Sequence, residues 1–302
     1  MNLERLVLGT AGIGGVWGNV DAEASVAAIL TALERGVGAI DTAPAYGNAE
    51  LYVSRALKAW KGPRPLVSSK AGRLKSFAAD QGFYDYSTAG MKRSVENTLK
   101  TLGIDSLDIL FLHDPANTPR EEADRVVEAL LAFKETGYTK KIGLGGNPPP
   151  WMQPYLGAGI FDVLMEFNKL NACNTIALTE NLPFCIDNHI RYYSASPLNM
   201  GLLGNSYDSY ISNPPEWLDR SSLETARCIK SIADLNKMAL HELGHRFLLS
   251  LPYAFNIVIG PSNPAQLAAT LDDFESGPLP EQIVKEIRKC VNEKILDRRD
   301  GK

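Results

Sequence analysis

One rhythm runs through almost the whole chain and restricts its fold more than any single motif. A short apolar run closes on a polar residue or a glycine, and a longer stretch with helical periodicity follows; the pattern recurs about eight times. The runs that read as strands are RLVLGT (5–10), VGAID (37–41), PLVSSK (65–70), LDILFLH (107–113), KKIGLGG (140–146), FDVLMEFN (161–168), IRYYSAS (190–196) and FNIVIG (255–260). Between them lie segments such as AEASVAAILTALERG (22–36), with apolar residues at three and four spacing and a glycine after the end. Strands alternating with helices pair in parallel through crossovers, and eight such units in 302 residues match the size of an α/β (β/α)8 TIM barrel, with its site at the C-terminal ends of the strands. No shift in composition marks a second domain, so residues 1–302 are expected to form a single one. The longest irregular stretches, roughly 72–87 and 199–221, are expected to lie as loops over the site.

A doubly wound sheet is the competing architecture, and GTAGIGGVWG (9–18) after the first run invites it. Gly12 and Gly14 have the spacing of a dinucleotide turn, but Trp17 stands where a third glycine would let helix and strand pack closely. The barrel is therefore preferred.

A formal charge of -4, with lysines and arginines scattered along the chain, argues against nucleic acid as a partner. No apolar run approaches bilayer length and the start lacks a basic head followed by a long apolar stretch, so a cytoplasmic protein without a membrane partner is expected. Cys173, Cys185, Cys228 and Cys290 form no CxxC pair and are expected as reduced thiols.

In a barrel the chemistry sits where strands end. Asp41, Lys70 and His113 close three consecutive runs, and Tyr46 follows Asp41 in DTAPAYG (41–47). Singly, each has a structural explanation as a turn residue, a packed ring or a satisfied histidine. Together they do not, because a lysine ending a buried strand is costly unless paired, and the aspartate on the neighbouring strand is its natural partner.

The set Asp41-Thr42-Ala43-Pro44 with Tyr46-Gly47, Ser69-Lys70 and Leu112-His113-Asp114-Pro115 resembles the catalytic tetrad of the aldo-keto reductase family. The resemblance extends to ASPLNMGLLG (195–204) and IGPSNPAQL (259–267), which look like that family's cofactor segments. It implies hydride transfer between nicotinamide and a carbonyl or carbinol carbon, with Asp41, Tyr46, Lys70 and His113 as the tetrad: Lys70 would favour the tyrosinate of Tyr46, Asp41 would keep the lysine charged, and His113 would orient the substrate oxygen. It also implies cofactor contacts at Ser196, Leu198, Met200, Gly201, Gly260, Ser262, Asn263 and Gln266. Around Asn263 the alternative is a plain helix cap.

Gln266 stands where many members place an arginine against the 2′-phosphate, so NAD is expected as cofactor, with NADP possible. Ala195 takes the place of a stacking aromatic and Leu164 that of a carboxamide-binding glutamine; Asn147 or Asn168 is then the substitute. Trp17, Phe83, Tyr84, Tyr86 and Trp151 follow strands and are candidates for the pocket mouth, with Trp17, Tyr84 and Trp151 foremost for substrate. The motifs DTAPAYG and HDP are similar to the aldose 1-dehydrogenase branch, which implies a small-molecule sugar oxidised at C1; the alternatives are a general aldehyde or ketone reductase using NADPH, and a binding protein that has lost turnover. Oligomeric state is left open.

One motif points elsewhere. His241-Glu242-Leu243-Gly244-His245 has the form of a zinc-peptidase helix, in which two histidines grip zinc and the glutamate activates water. It lies in SIADLNKMALHELGHRFLLSLP (231–252), read as a single helix before the eighth strand and thus away from the strand ends. Leu240, Leu243, Phe247 and Leu251 form its expected buried stripe, and the possible third ligands downstream are Asp272 and Glu275. The expectation is a structural helix face and no metal.

Overall fold

Each of the eight apolar runs becomes a strand: β1 Leu6–Gly9, β2 Ala39–Asp41, β3 Leu66–Ala71, β4 Ile109–His113, β5 Ile142–Gly145, β6 Val163–Phe167, β7 Arg191–Ala195 and β8 Asn256–Ile259. They pair in parallel in sequence order, and β8 returns to β1 to close a barrel. The computed structural model describes residues 2–78 and 80–300. The glycine-rich segment after β1 is a series of turns leading to the helix Ala22–Glu34, so the doubly wound alternative does not hold.

Alternation along the strands sorts the side chains into two layers. Val7, Ile109, Phe111, Val163, Met165, Tyr193 and Val258 fill the barrel interior. Residues in the opposite phase of the strands, among them Leu6, Leu8, Ile40, Val67, Leu110, Leu112, Ile142 and Leu144, pack beneath the helical ring. The same phase carries the polar residues. Asp41 is two residues after the interior Ala39, and His113 two after the interior Phe111; Lys70 is registered with Phe111 and lies between Ser69 and Ala71, whose side chains go to the outer layer. Three titratable groups therefore point into the top of the barrel because the pleat places them there.

The helices start on ordinary local chemistry. Asp21 accepts from the Ala24 amide and Ser87 from the Gly90 amide at the heads of Ala22–Glu34 and Thr88–Leu102, and Gly103 ends the latter at φ 69°. The segment expected as one long helix before β8 is two, Arg220–Leu235 and Leu240–Leu249, separated at Lys237, which takes a left-handed φ of 55°. Residues 72–87 fold back on themselves through a bridge between Arg73 and Tyr84, and a short helix, Tyr207–Ser212, interrupts the other long stretch.

The cysteines depart from expectation. Cys173 and Cys185 are buried free thiols, but Cys228 and Cys290 are joined, tying the helix Arg220–Leu235 to the last helix, Glu281–Asp300. No spacing motif announces this pair, since 62 positions separate its members and only the packing of the two helices brings their Cα atoms to 6.2 Å.

A cross-link over a loop of that length restricts the unfolded chain strongly. Cys290→Ser is expected to lower the unfolding free energy by about 2–4 kcal/mol, and reductant should bring the wild-type protein down to the same midpoint in urea. Equal midpoints for oxidised wild type and variant would show that the bond contributes nothing.

Candidate active site

The site is assembled from the bottom of a polar stack. Lys70 and Asp41 are almost wholly removed from water, with side chains 2% and 3% exposed, and Lys70 Nζ donates to Asp41 Oδ2. A second bond from Nζ reaches the Thr42 carbonyl at 3.0 Å, while Asp41 Oδ1 accepts from Ser68 Oγ at 2.8 Å. Burial alone would depress the lysine, but the charge of Asp41 and its hydrogen bond outweigh it and the net shift is upward. Lys70 therefore stays charged at neutral pH.

Above it lies the Tyr46 ring, whose centroid is 4.8 Å from Nζ, with the Phe111 ring at 5.7 Å on the barrel side. His113 meets Tyr46 edge to face at 5.6 Å. Burial, then the nearby Lys70 and Arg73 charges, holds His113 far below the ordinary histidine range, so the imidazole is neutral and can donate a hydrogen bond without carrying charge. Its Nδ1 is buried and has no hydrogen-bond partner among the described residues. For Tyr46 the sequence-based expectation is corrected. Lys70 does pull its pKa down, but burial pushes harder and the phenol ends above its usual value. The four residues named from the strand ends are brought together, with Tyr46 as a phenol rather than a phenolate at neutral pH.

Close backbone packing holds the tyrosine. Its turn is wedged between two loops: Asn48 N donates to Gly14 O at 3.0 Å and Gly47 N to Ser76 O at 3.0 Å. A Cβ on Gly14 would lie 2.2 Å from the Tyr46 carbonyl, and one on Gly47, which has φ 56°, would lie 2.3 Å from the Gly14 carbonyl. The glycines after β1 thus serve the Tyr46 turn. Next to His113, Asp114 is left-handed at φ 50° and is held by Arg73 and by Tyr84, each at 3.1 Å from its Oδ2. Tyr86, which is buried, donates to the carbonyls of His113 at 2.8 Å and Asp114 at 3.0 Å.

The loop aromatics separate accordingly. Trp17 and Phe83 are exposed, Tyr84 stacks on Tyr86 at 5.7 Å, and Trp151 packs against the core after β5. Tyr86 is a support for the end of β4 instead of a lining residue. Three features went unread in the sequence: Arg73 and Asp114 as a braced pair, Phe77, exposed with its Cδ1 3.3 Å from a Cβ placed on Gly47, and Phe167, exposed at the end of β6 opposite Ala195. The alternation of β6 could have shown the last one, because Phe167 is in phase with the interior residues Val163 and Met165. The same alternation moves Leu164 out of the site, into the layer beneath the helices.

Around the expected cofactor segments the backbone is unusual. Ser196, Asn199, Met200 and Gly201 all have positive φ, between 50° and 91°. Ser196 Oγ lies 3.3 Å from Met200 Sδ, while Leu198 packs against the core. After β8, Gly260 is exposed, Asn263 caps the helix Pro264–Glu275 by accepting from the Gln266 amide at 2.9 Å, and Gln266 Oε1 accepts from Ser262 N at 2.8 Å. The cap expected as an alternative is therefore present, and the Ser262 and Gln266 amides are both taken by side-chain oxygens. Asn147 and Asn168 differ. Asn147 Oδ1 is taken by the Phe167 amide at 3.1 Å, whereas Asn168 Oδ1 is buried with no partner among the described residues, in a residue at φ 56°. An unmet buried acceptor at a strand end suits a ligand amide, so the residues present fit a nicotinamide carboxamide.

The HELGH motif lies on the helix Leu240–Leu249, outside the barrel. Glu242 is paired with Arg246 at 2.7 Å instead of facing a metal, and the downstream residues foreseen as ligands, Asp272 and Glu275, are held by Arg35 at 2.9 and 2.8 Å. A peptidase centre is not supported.

Comparison with known proteins agrees with this geometry. The family model described as Aldo/keto reductase family matches residues 5–292. L-galactose dehydrogenase of Arabidopsis thaliana is 27% identical over 96% of this chain and 91% of its own length. D-threo-aldose 1-dehydrogenase of Pseudomonas sp is 27% identical over 88% and 87%, and the NADH-specific methylglyoxal reductase of Escherichia coli (strain K12) is 33% identical over 67% and 66%. Among solved structures, a glycerol dehydrogenase from Gluconobacter oxydans shares the fold with a TM-score of 0.77 at 22% identity, covering 96% of this chain and 92% of that one.

The contact at Gly14 gives a stability test. Gly14→Ala is expected to destabilise by about 1–3 kcal/mol, as overpacking does, because the atom it meets is backbone. Gly260→Ala, whose Cβ meets nothing within 4 Å, should stay within about 0.5 kcal/mol of wild type. Thermal melts of the two variants side by side decide the matter; equal melting would contradict the wedge.

Proposed function

The chain belongs to the aldo/keto reductase family, and from that premise we propose that it is an aldose 1-dehydrogenase, oxidising a cyclic sugar at C1 to the lactone with NAD as acceptor. Membership makes it an oxidoreductase that works with a nicotinamide cofactor. The observation that carries the reading is the convergence of Tyr46, Lys70, Asp41 and His113 at the ends of β2 to β4. When bound, a nicotinamide dinucleotide would provide the hydride chemistry. The protein supplies the rest. His113, neutral, donates a hydrogen bond to the substrate oxygen, and Tyr46 exchanges that oxygen's proton, as base in oxidation and acid in reduction. Lys70 stabilises the phenolate that forms, and Asp41 keeps Lys70 charged and aimed.

For the cofactor we assign Asn168 to the carboxamide, the turn with Ser196, Met200 and Gly201 to one face, and Gly260, Ser262 and Asn263 with the following helix start to the phosphates. Leu198 acts from beneath, as packing. Gln266 brings no charge to a 2′-phosphate, which supports NAD over NADP. Trp17, Tyr84 and Phe77 stand at the mouth, where aromatic faces beside polar groups suit a sugar, and Trp151 supports the loop after β5. Residues 1–302 act as one unit in this reading. We place the enzyme in the cytoplasm on the strength of its dinucleotide, although the Cys228–Cys290 bond is of a kind more common in oxidising compartments. Among the described residues no helix is long and apolar enough to cross a membrane.

Three outcomes test this. Tyr46→Phe should abolish turnover while leaving dinucleotide affinity within about twofold, since the hydroxyl moves a proton and does not hold the cofactor; near-normal turnover would refute the mechanism. Because burial holds Tyr46 protonated past its ordinary range, sugar oxidation should climb steadily from neutral into alkaline pH, whereas carbonyl reduction should be flat through neutrality and fall only on the alkaline side. Finally, comparing kcat/KM for aldoses with NAD against simple aldehydes with NADPH should favour the first, and Gln266→Arg should tighten NADP binding by roughly tenfold. Aldehyde reduction exceeding every sugar oxidation by orders of magnitude would make the general carbonyl reductase the better description.

A further inference from the structure

The two histidines of HELGH have no part in the oxidoreductase site, yet they are not a plain helix face. Four residues apart on the helix Leu240–Leu249, they project to the same side. There they meet Asp273, from the helix Pro264–Glu275, whose Oδ2 lies 2.7 Å from His241 Nδ1 and 2.8 Å from His245 Nδ1. The donor atoms of all three lie within 4.8 Å of one another. His245 is buried against the Phe274 ring at 4.9 Å, Asp273 is nearly as enclosed, and the His241 side chain is 35% exposed. The neighbouring charges are engaged elsewhere: Glu242 by Arg246, and Asp272 and Glu275 by Arg35.

We propose that His241, His245 and Asp273 bind one divalent transition-metal ion of the zinc class, which pins the helix Leu240–Leu249 to the helix Pro264–Glu275. Two imidazoles and one carboxylate are a donor set that such ions take, and a harder ion such as magnesium would not select it. Ligand atoms about 2.0–2.1 Å from a shared tetrahedral centre stand about 3.3 Å apart, so the two contacts to Asp273 need open by about half an ångström while the imidazole nitrogens, within 4.8 Å of each other, draw together by up to about 1.5 Å. The exposed edge at His241 leaves a fourth position to water. The role is structural. Asp273 lies seven residues beyond Gln266, about 10 Å along the helix whose first turn meets Ser262, so the ion would fix the far end of that helix without touching the hydride site. The proposal does not depend on the dehydrogenase reading.

The test is calorimetric titration of zinc into chelator-treated, desalted protein, with melting followed in parallel. Wild type should bind one zinc ion per chain and melt higher with it. His241→Ala, at the exposed edge, should lose at least about tenfold in zinc affinity and its zinc-dependent rise in melting. Asp273→Asn, which keeps an oxygen for the imidazoles but removes the charged ligand, should do the same, and its melting without zinc shows that it folds. Turnover of His241→Ala without zinc should match that of wild type without zinc. The proposal is overturned by wild type showing no saturable zinc binding, or by either variant binding zinc within tenfold of wild type.

Discussion

A lysine and an aspartate paired almost out of reach of water set the terms for everything above them. Neither Lys70 nor Asp41 could remain in the barrel alone, because a single uncompensated charge in such a place costs several kcal/mol, on the order of 3–5 when one partner of a buried pair is removed. The pair persists because its remaining bonds are also made, by Ser68 to the carboxylate and by the Thr42 carbonyl to the ammonium. Such a pair adds little stability over well-packed apolar side chains. Its use is electrostatic. It keeps a fixed positive charge beneath a phenol, and the same charge helps to keep His113 neutral.

The loops then have one task, to hold Tyr46 over that charge. Gly14 and Gly47 let two backbones come within a distance that no side chain would permit, and the 72–87 segment closes the turn from the other side through Ser76. The end of β4 is fixed in a similar way, with Tyr86 bonded to the carbonyls of His113 and Asp114 and the Arg73–Asp114 contact outside it. Rigid strands place the residues, and close loop packing fixes their angles.

Much of this was legible in the sequence, for a physical reason: a buried parallel strand must be apolar, so a charged residue that ends one stands out. Asp41, Lys70 and His113 were visible in that way, and Tyr46 through its distance from Asp41. What was hidden depends on the third dimension. Leu164 and Met165 differ by one position, which on a strand exchanges the outer layer for the interior, and in a run apolar on both faces the alternation has to be anchored on a residue known to be interior. Asp273, and not Asp272 or Glu275, meets the histidines because one residue along a helix turns the side chain by about 100°. The Cys228–Cys290 bond has no sequence signature at all. The direction of the Tyr46 shift was misread because the sequence shows the opposing charge but not how deeply the phenol is enclosed.

The buried Lys70 charge opposes the burial that keeps Tyr46 a phenol. Titration of Tyr46 by nuclear magnetic resonance, with carbon label at the ring carbon bearing the hydroxyl, reads this directly in wild type and in Lys70→Met/Asp41→Asn, which removes the ammonium without stranding the carboxylate. The wild-type resonance should titrate above the ordinary tyrosine range, and removal of the ammonium should move the midpoint higher still. An unchanged or lower midpoint in the variant would contradict the account.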